Sequence, residues 1–207
     1  MAESTGIRRK TAYHHGDLRA QLVEATRALV EEKGADHFSV SEACRKAGVS
    51  TAAPYRHFRD REEMLDAVCI DGMARHFSQM QAAVAELPAG DLQRIHALGR
   101  VYVRFAQAEP GVFRLVFGAK HDPDVVRAVE EAGILPFELL QAEVAGVLGR
   151  ATVDADVERR AFLLWMSVHG LSFLLIDGAA ASKGLDVDLT SLLDDVARRV
   201  LPEAADR

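Results

Sequence analysis

Apolar residues in this chain recur at helical rather than alternating intervals. Leu18, Leu22, Ala25 and Leu29 stand 4, 3 and 4 apart, one face of an amphipathic helix that Gly34 is placed to stop. Ser39 with Glu42 forms a capping-box pattern, predicting a second helix through Ala43 and Ala47 to Gly48. Ser50 is placed to cap a short third helix, and Asp60 with Glu63 a fourth. That fourth helix is long, with Leu65, Cys69, Met73, Phe77, Met80, Val84 and Leu87 on one stripe ending at Pro88 and Gly90. Punctuation predicts further helices over 91–108, in "GVFRLVFG", and from about 122 to Gly133. Pro136 suits the first position of the next, with Phe137, Leu140, Val144 and Val147 on its face. Another spans 154–177, ended by Gly178, and the last about 188–201, with Leu189, Leu192, Val196 and Val200 inward. No strand pattern of useful length and no repeat occurs, so the expected class is all-α.

Composition agrees with that class and adds an asymmetry. The chain has 207 residues, 49% apolar, enough to pack a core in one large or two modest domains. Its net charge of -6 argues against nucleic acid as a partner of the whole surface. Residues 1–61, however, hold 11 Lys+Arg against 8 Asp+Glu, and the remainder 14 against 23. A mildly basic head on an acidic body points to a head that meets a polyanion. Cys44 and Cys69 have no metal or disulfide spacing and read as reduced, partly buried thiols of a cytoplasmic protein. The N-terminus lacks the apolar segment of a signal peptide. The run "AFLLWMSVHGLSFLLI", interrupted by Ser167, His169 and Ser172, reads as a buried helix and not a membrane span.

Helix, Gly-containing turn, helix is the arrangement of a helix-turn-helix, here "SVSEACRKAGVSTAAPYRHF". Ala43 and Ala47 keep the first helix slim, Gly48 turns the chain, and Val49 plugs the small core. An N-terminus capped by Ser50 would aim free N–H groups at phosphate. Thr51 and Ala52 are small enough for close approach to base edges, and Tyr55, Arg56 and His57 can donate to phosphate oxygens. Pro54 removes an N–H near the fourth helical position, tolerable where a helix is starting. No HExxH, spaced Cys/His set, G-x-S-x-G or Gly-rich phosphate loop is found, so no catalytic residue, metal or cofactor is expected.

Residues 15–65 resemble the N-terminal domain of the TetR family of bacterial transcriptional regulators, through "FSVSEACRKAGVS", "YRHF" and "DREEML". The resemblance implies phosphate contacts from Ser39, Tyr55, His57 and Arg61, and base contacts from Thr51 and Ala52. It departs at Thr51, where many members carry Lys or Arg, and at Pro54, where many carry Leu or Ile. It further implies a cytoplasmic homodimer that reads a near-palindromic double-stranded DNA operator, half-sites about 34 Å apart, and releases it on binding a small-molecule effector. The implied organisation is a flexible basic arm at 1–13, a helix-turn-helix domain at 14–61, and an effector-binding and dimerisation domain at 62–207. In the arm, Arg8, Arg9 and Lys10 either reach a minor groove or form a basic tail. The two helices 154–178 and 188–201 are the expected dimer interface.

The segment "LLWMSVHGLSFLLIDG" resembles a Trp-x-x-x-His-Gly signature of one C-terminal subgroup, through Trp165, His169 and Gly170. Trp165 and His169, one helical turn apart, either line a pocket or pack in the core or a dimer seam. Phe105, Phe113 and Phe117 are read as core, with one or two lining a cavity. Two other functions stay open: an effector-independent, architectural DNA-binding protein, and an interaction protein whose final helices dimerise with something else.

Overall fold

The computed structural model describes residues 18–118 and 123–202, with side chains described outside 123–132. The arm and its basic residues lie outside the described residues. Nine α-helices and no strand occur among those described: α1 (Leu18–Lys33), α2 (Val40–Ala47), α3 (Arg61–Ala85), α4 (Leu92–Ala108), α5 (Pro110–Gly118), α6 (Pro123–Leu148), α7 (Ala155–Ile176), α8 (Ala179–Ser182) and α9 (Leu189–Val200).

Local chemistry sets most boundaries. Ser39 accepts from the Glu42 N–H while the Glu42 carboxylate accepts from the Ser39 N–H, closing the expected capping box. Asp60, Asp91, Asp154 and Asp188 cap α3, α4, α7 and α9 through their carboxylates. Gly48 ends α2 in the left-handed region, at φ 71°.

Two prolines correct the expected helix list. No α-helix follows Ser50. The Ala53 N–H bonds to the Ser50 carbonyl at 3.0 Å, and Pro54–Arg56 is a 3₁₀ turn. Pro54 has no N–H to return to Ser50, so the α-helical ladder cannot start there, and Ser50 is no helix cap. Pro136 does the opposite: instead of opening a new helix it sits inside α6. Its missing N–H costs one rung, which burial of Leu140, Val144 and Val147 offsets.

The helices enclose two apolar cores threaded by α3. Met64, Leu65, Val68 and Met73 pack with α1, Phe38, Ala43 and Phe58, and also with Tyr102 and Phe105 of α4 and Val112 and Phe113 of α5. Met80 and Val84 pack with Ile95 and Leu98 of α4, Val144 of α6, Ala161 of α7 and Ala197 of α9. The first core therefore runs continuously across residues 61 and 62. Arg94 ties the C-terminus of α3 to α4 and α6. It donates to the Val84 and Leu87 carbonyls at 2.6 Å and grips Glu143 through both carboxylate oxygens.

The inward face of α9 matches expectation in part, with Val196 and Val200 partly buried against the second core. On α9 the buried residues are Leu193 and Ala197, followed by Leu201, while Leu192 is 38% exposed. α7 is long and apolar enough to cross a membrane by length and composition, yet it packs on α4, α6 and α9. It is not buried throughout: Phe162, Met166 and Leu174 are each about half exposed.

One seam joins α1 to α5. The Glu31 carboxylate accepts from the Gly111 and Val112 N–H groups at 3.0 and 2.8 Å. A Cβ on Gly111 would lie 2.7 Å from the Val30 carbonyl oxygen, so the backbones touch. Gly111→Ala is expected to lower stability by about 1–3 kcal/mol, measured by urea unfolding; a loss under about 0.5 kcal/mol would show that the seam opens freely.

Candidate functional site

The surface expected to face DNA is built from a buried frame with polar groups standing off it. Pro54 is buried and Phe58 is 3% exposed, both directed inward. Between them Tyr55, Arg56 and His57 are turned out to solvent, Tyr55 with 63% of its surface exposed. Ser50, Thr51 and Ala52 are exposed beside them. Ser39 is exposed as well, its hydroxyl 3.0 Å from that of Ser41 and 3.1 Å from the Glu42 carboxylate. The Lys33 ammonium, 2.5 Å away, and then the Ser39 N–H hold the Glu42 carboxyl down to about 2. Glu42 is thus a fixed anion that keeps the start of α2 in place.

Arg61 stands apart from the other predicted contacts. Its guanidinium lies over the Phe38 ring at 4.6 Å and donates to the carbonyls of Phe38 and Ala35. With 27% of its side chain exposed, it braces the turn between α1 and α2.

The body holds a cavity of about 870 Å³ among α3, α4, α5, α6, α7 and α9. Its wall is largely apolar and aromatic, with Met80, Phe117, Phe137, Phe162 and Trp165 prominent. Of the predicted ligand residues, Phe117 and Trp165 line it, whereas Phe105, Phe113 and His169 do not. Phe105 and Phe113 are sealed in the first core, 3% and 0% exposed, because they face the rings of His76 and Tyr102. His169 lies behind the wall. Its Nδ1 is 2.9 Å from the Tyr102 hydroxyl, which also accepts from the Trp165 indole N–H at 3.2 Å. Phe113, Phe117 and Phe173 surround the His169 ring, and burial pushes its pKa down.

Three polar wall residues went unpredicted: His76, His96 and Tyr102. His76 is 1% exposed and stacks on Phe105 with ring centres 4.8 Å apart. Burial without a counter-charge pushes its imidazole down to about 4, so the ring is neutral at pH 7. Burial likewise lowers His96, against the opposing pull of Asp194, whose carboxylate is 3.5 Å from Nε2. In sequence, His76 sits three residues after Met73 and four before Met80, helical spacing that could have flagged it as inward-facing.

Comparison with known proteins now decides the family. Residues 95–200 match the model for the tetracyclin repressor-like C-terminal domain, and residues 22–68 match that for bacterial regulatory proteins of the tetR family. The chain belongs to the TetR family. It is 28% identical over 97 residues to the nucleoid occlusion factor SlmA of Mannheimia succiniciproducens, covering 47% of this chain and 44% of that one. It is 35% identical over 80 residues to the HTH-type transcriptional regulator BetI of Escherichia coli O139:H28, covering 39% and 35%. The matches thus span about half or less of these relatives. A Rhodococcus sp. RHA1 protein of unknown function is 31% identical, with TM-score 0.78 over 94% of this chain and 98% of that one. FadR from Bacillus subtilis, solved in complex with stearoyl-CoA, shares the fold at 13% identity, with TM-score 0.69 over 88% and 97%. The family is one of bacterial regulatory proteins, and the chain carries its N-terminal and C-terminal domains.

The buried histidine of this TetR-family body gives stability a pH dependence. Between about pH 6.5 and 4, unfolded chains take up a proton at His76 that folded chains refuse. Stability therefore falls as pH falls through that window, by at most about 1.4 kcal/mol per unit from this residue. His76→Phe, which preserves the stack on Phe105, should flatten the slope. Urea midpoints with the same pH slope in both proteins would discard that account.

Proposed function

We propose that this regulator is a homodimeric repressor that leaves a near-palindromic operator in the cytoplasm when a small molecule, as yet unknown, enters the cavity. The observation that carries this reading is the position of the cavity against the two helices that hold the head. Met73, His76 and Met80 of α3, and Val116 and Phe117 of α5, form part of its wall. α5 in turn receives the Glu31 carboxylate of α1 on its first amides. Glu109, just before α5, pairs with Arg75 of α3 through both oxygens and lies 3.5 Å from Arg27 of α1. A ligand that fits only one placement of α5 therefore also selects one placement of the head, and its differential affinity sets the size of the response.

DNA contact is assigned to Ser39, Ser50, Thr51, Ala52, Tyr55, Arg56 and His57, with Arg61 acting through the turn it braces. The exposed apolar stripe of Met166 and Leu174 on α7 with Leu192 on α9 supports pairing of two chains there. A Cβ built on Gly170 meets nothing within 4 Å, leaving room for a second backbone. Trp165, His169 and Gly170 support membership of the Trp-x-x-x-His-Gly subgroup on this reading. Likeness to the nucleoid occlusion factors supports an alternative, effector-independent DNA-binding role, for which the cavity has no use.

Selection of bound duplexes from a random DNA pool tests the proposal, and an enriched inverted repeat is the expected result. Salt-sensitive binding with no enriched sequence would support the architectural alternative instead. On the enriched site, Arg56→Ala should weaken binding to every sequence alike and reduce the salt slope by about 1. Leu174→Asp should yield monomers in sedimentation and lose operator affinity at least about tenfold; a Leu174→Asp dimer would move the interface elsewhere.

A further inference from the structure

Within the effector cavity, polar capacity is concentrated in two side chains. Neither His76 nitrogen has a hydrogen-bond partner among the described residues, and the Nε2 of His96 has only the Asp194 carboxylate 3.5 Å away. The two rings are 1% and 7% exposed, and both form part of the cavity wall. The Tyr102 hydroxyl and Trp165 N–H of the same wall are already engaged with each other and with His169. An unpaired polar group in so apolar a setting is destabilising, and a bound molecule offering the right partner recovers that loss.

Charge narrows the class. None of the described lining residues is Lys, Arg, Asp or Glu. The Asp194 carboxylate stands outside this wall, 3.5 Å from the His96 Nε2, so an ion would lose its hydration with no charged group among the described lining residues to replace it. A neutral imidazole presents one N–H donor and one lone pair. A carbonyl answers the donor alone, and an ether oxygen does the same. A hydroxyl answers either nitrogen, whichever carries the proton. The aromatic wall, with Phe137 and Phe162 edge-on to Trp165 at 5.9 and 5.8 Å between ring centres, suits flat rings.

We propose that the cavity takes an uncharged, ring-containing apolar molecule whose hydroxyl groups pair with the imidazoles of His76 and His96. This rests on the reading of the cavity as the effector site, and adds the chemistry of what it admits.

The test titrates the full chain by fluorescence at neutral pH with four probes of one shape: pyrene, 1-pyrenol, pyrene-1-carboxylate and pyrene-1-methylammonium. 1-Pyrenol should bind about tenfold more tightly than pyrene for one hydrogen bond gained, and both ions should bind more weakly than pyrene. In His76→Phe or His96→Phe the preference for 1-pyrenol over pyrene should shrink toward unity while pyrene binding holds within about twofold. His→Gln at the same position, which restores a donor and an acceptor, should recover part of it. Equal binding of pyrene and 1-pyrenol overturns the proposal, as does tightest binding of either ion, or no binding of any probe. Variants that weaken pyrene and 1-pyrenol alike assign the histidines to packing and overturn it too. DNA affinity on the selected operator is read separately. Hydroxyl-selective binding that leaves operator affinity unchanged upholds the ligand class and removes the effector-release reading. Operator release by a charged molecule bound in the cavity does the reverse.

Discussion

The contact on which the arrangement of this molecule depends is the Glu31 carboxylate at the N-terminus of α5. A helix begins with N–H groups that have no partner within the helix and a partial positive charge around them. Here two of those groups are answered from α1, at 80 and 81 residues' separation in sequence. The answer is possible only because Gly111 lets the two backbones touch. Arg75 then locks Glu109, at the same end of α5, to α3. The N-terminal helices are thereby fixed on the body by directional bonds to a helix end, in addition to the apolar core they share with α4 and α5.

Behind that seat the body is divided between groups whose bonding is complete and groups whose bonding is not. Tyr102, Trp165 and His169 form a closed hydrogen-bonded set, boxed in by phenylalanines. They make a stiff back wall, because each ring is held by both packing and a polar bond. On the cavity wall from α3 and α4 stand His76, with neither nitrogen bonded, and His96, with Asp194 at 3.5 Å, both pKa values lowered by burial. Stiffness on one side and unspent polarity on the other give the cavity both shape and selectivity. Because α3 carries His76 and also packs the head, recognition in the cavity and posture of the head share one helix.

Features fixed by short-range chemistry were legible in the sequence. Ser39, Asp60, Asp91, Asp154 and Asp188 announce helix starts because a cap acts within three residues of itself. The exposed polar stretch from Ser50 to His57 was legible for a similar reason, since small residues and donors follow one another along the chain. Prolines were harder, because their effect depends on what packs around them. Pro54 breaks a segment too short to compensate, and Pro136 is overridden by a long apolar face. On α9 Val196 and Val200 were read correctly as packing against the core, but Leu192 was not, because apolar residues ring that helix and Leu193 and Ala197 take its most buried positions. Phe105, Phe113 and His169 could not be sorted from Phe117 and Trp165 by pattern, since core and cavity wall have the same composition. Their sorting depends on which rings Tyr102 and His76 meet, a matter of tertiary packing.

The continuity of the first core across residues 61 and 62 bears on how such proteins can be recombined. Heads and bodies of regulators invite exchange, to couple one sensor to another promoter. In this chain a cut at that point severs no linker. It divides a single packed interior in which Leu22 and Val30 share neighbours with Phe105 and Phe113. A transplanted head would have to bring its own matching α5 surface, the glycine at position 111 and the carboxylate at position 31 included. The natural unit of exchange is the head together with the stretch that seats it.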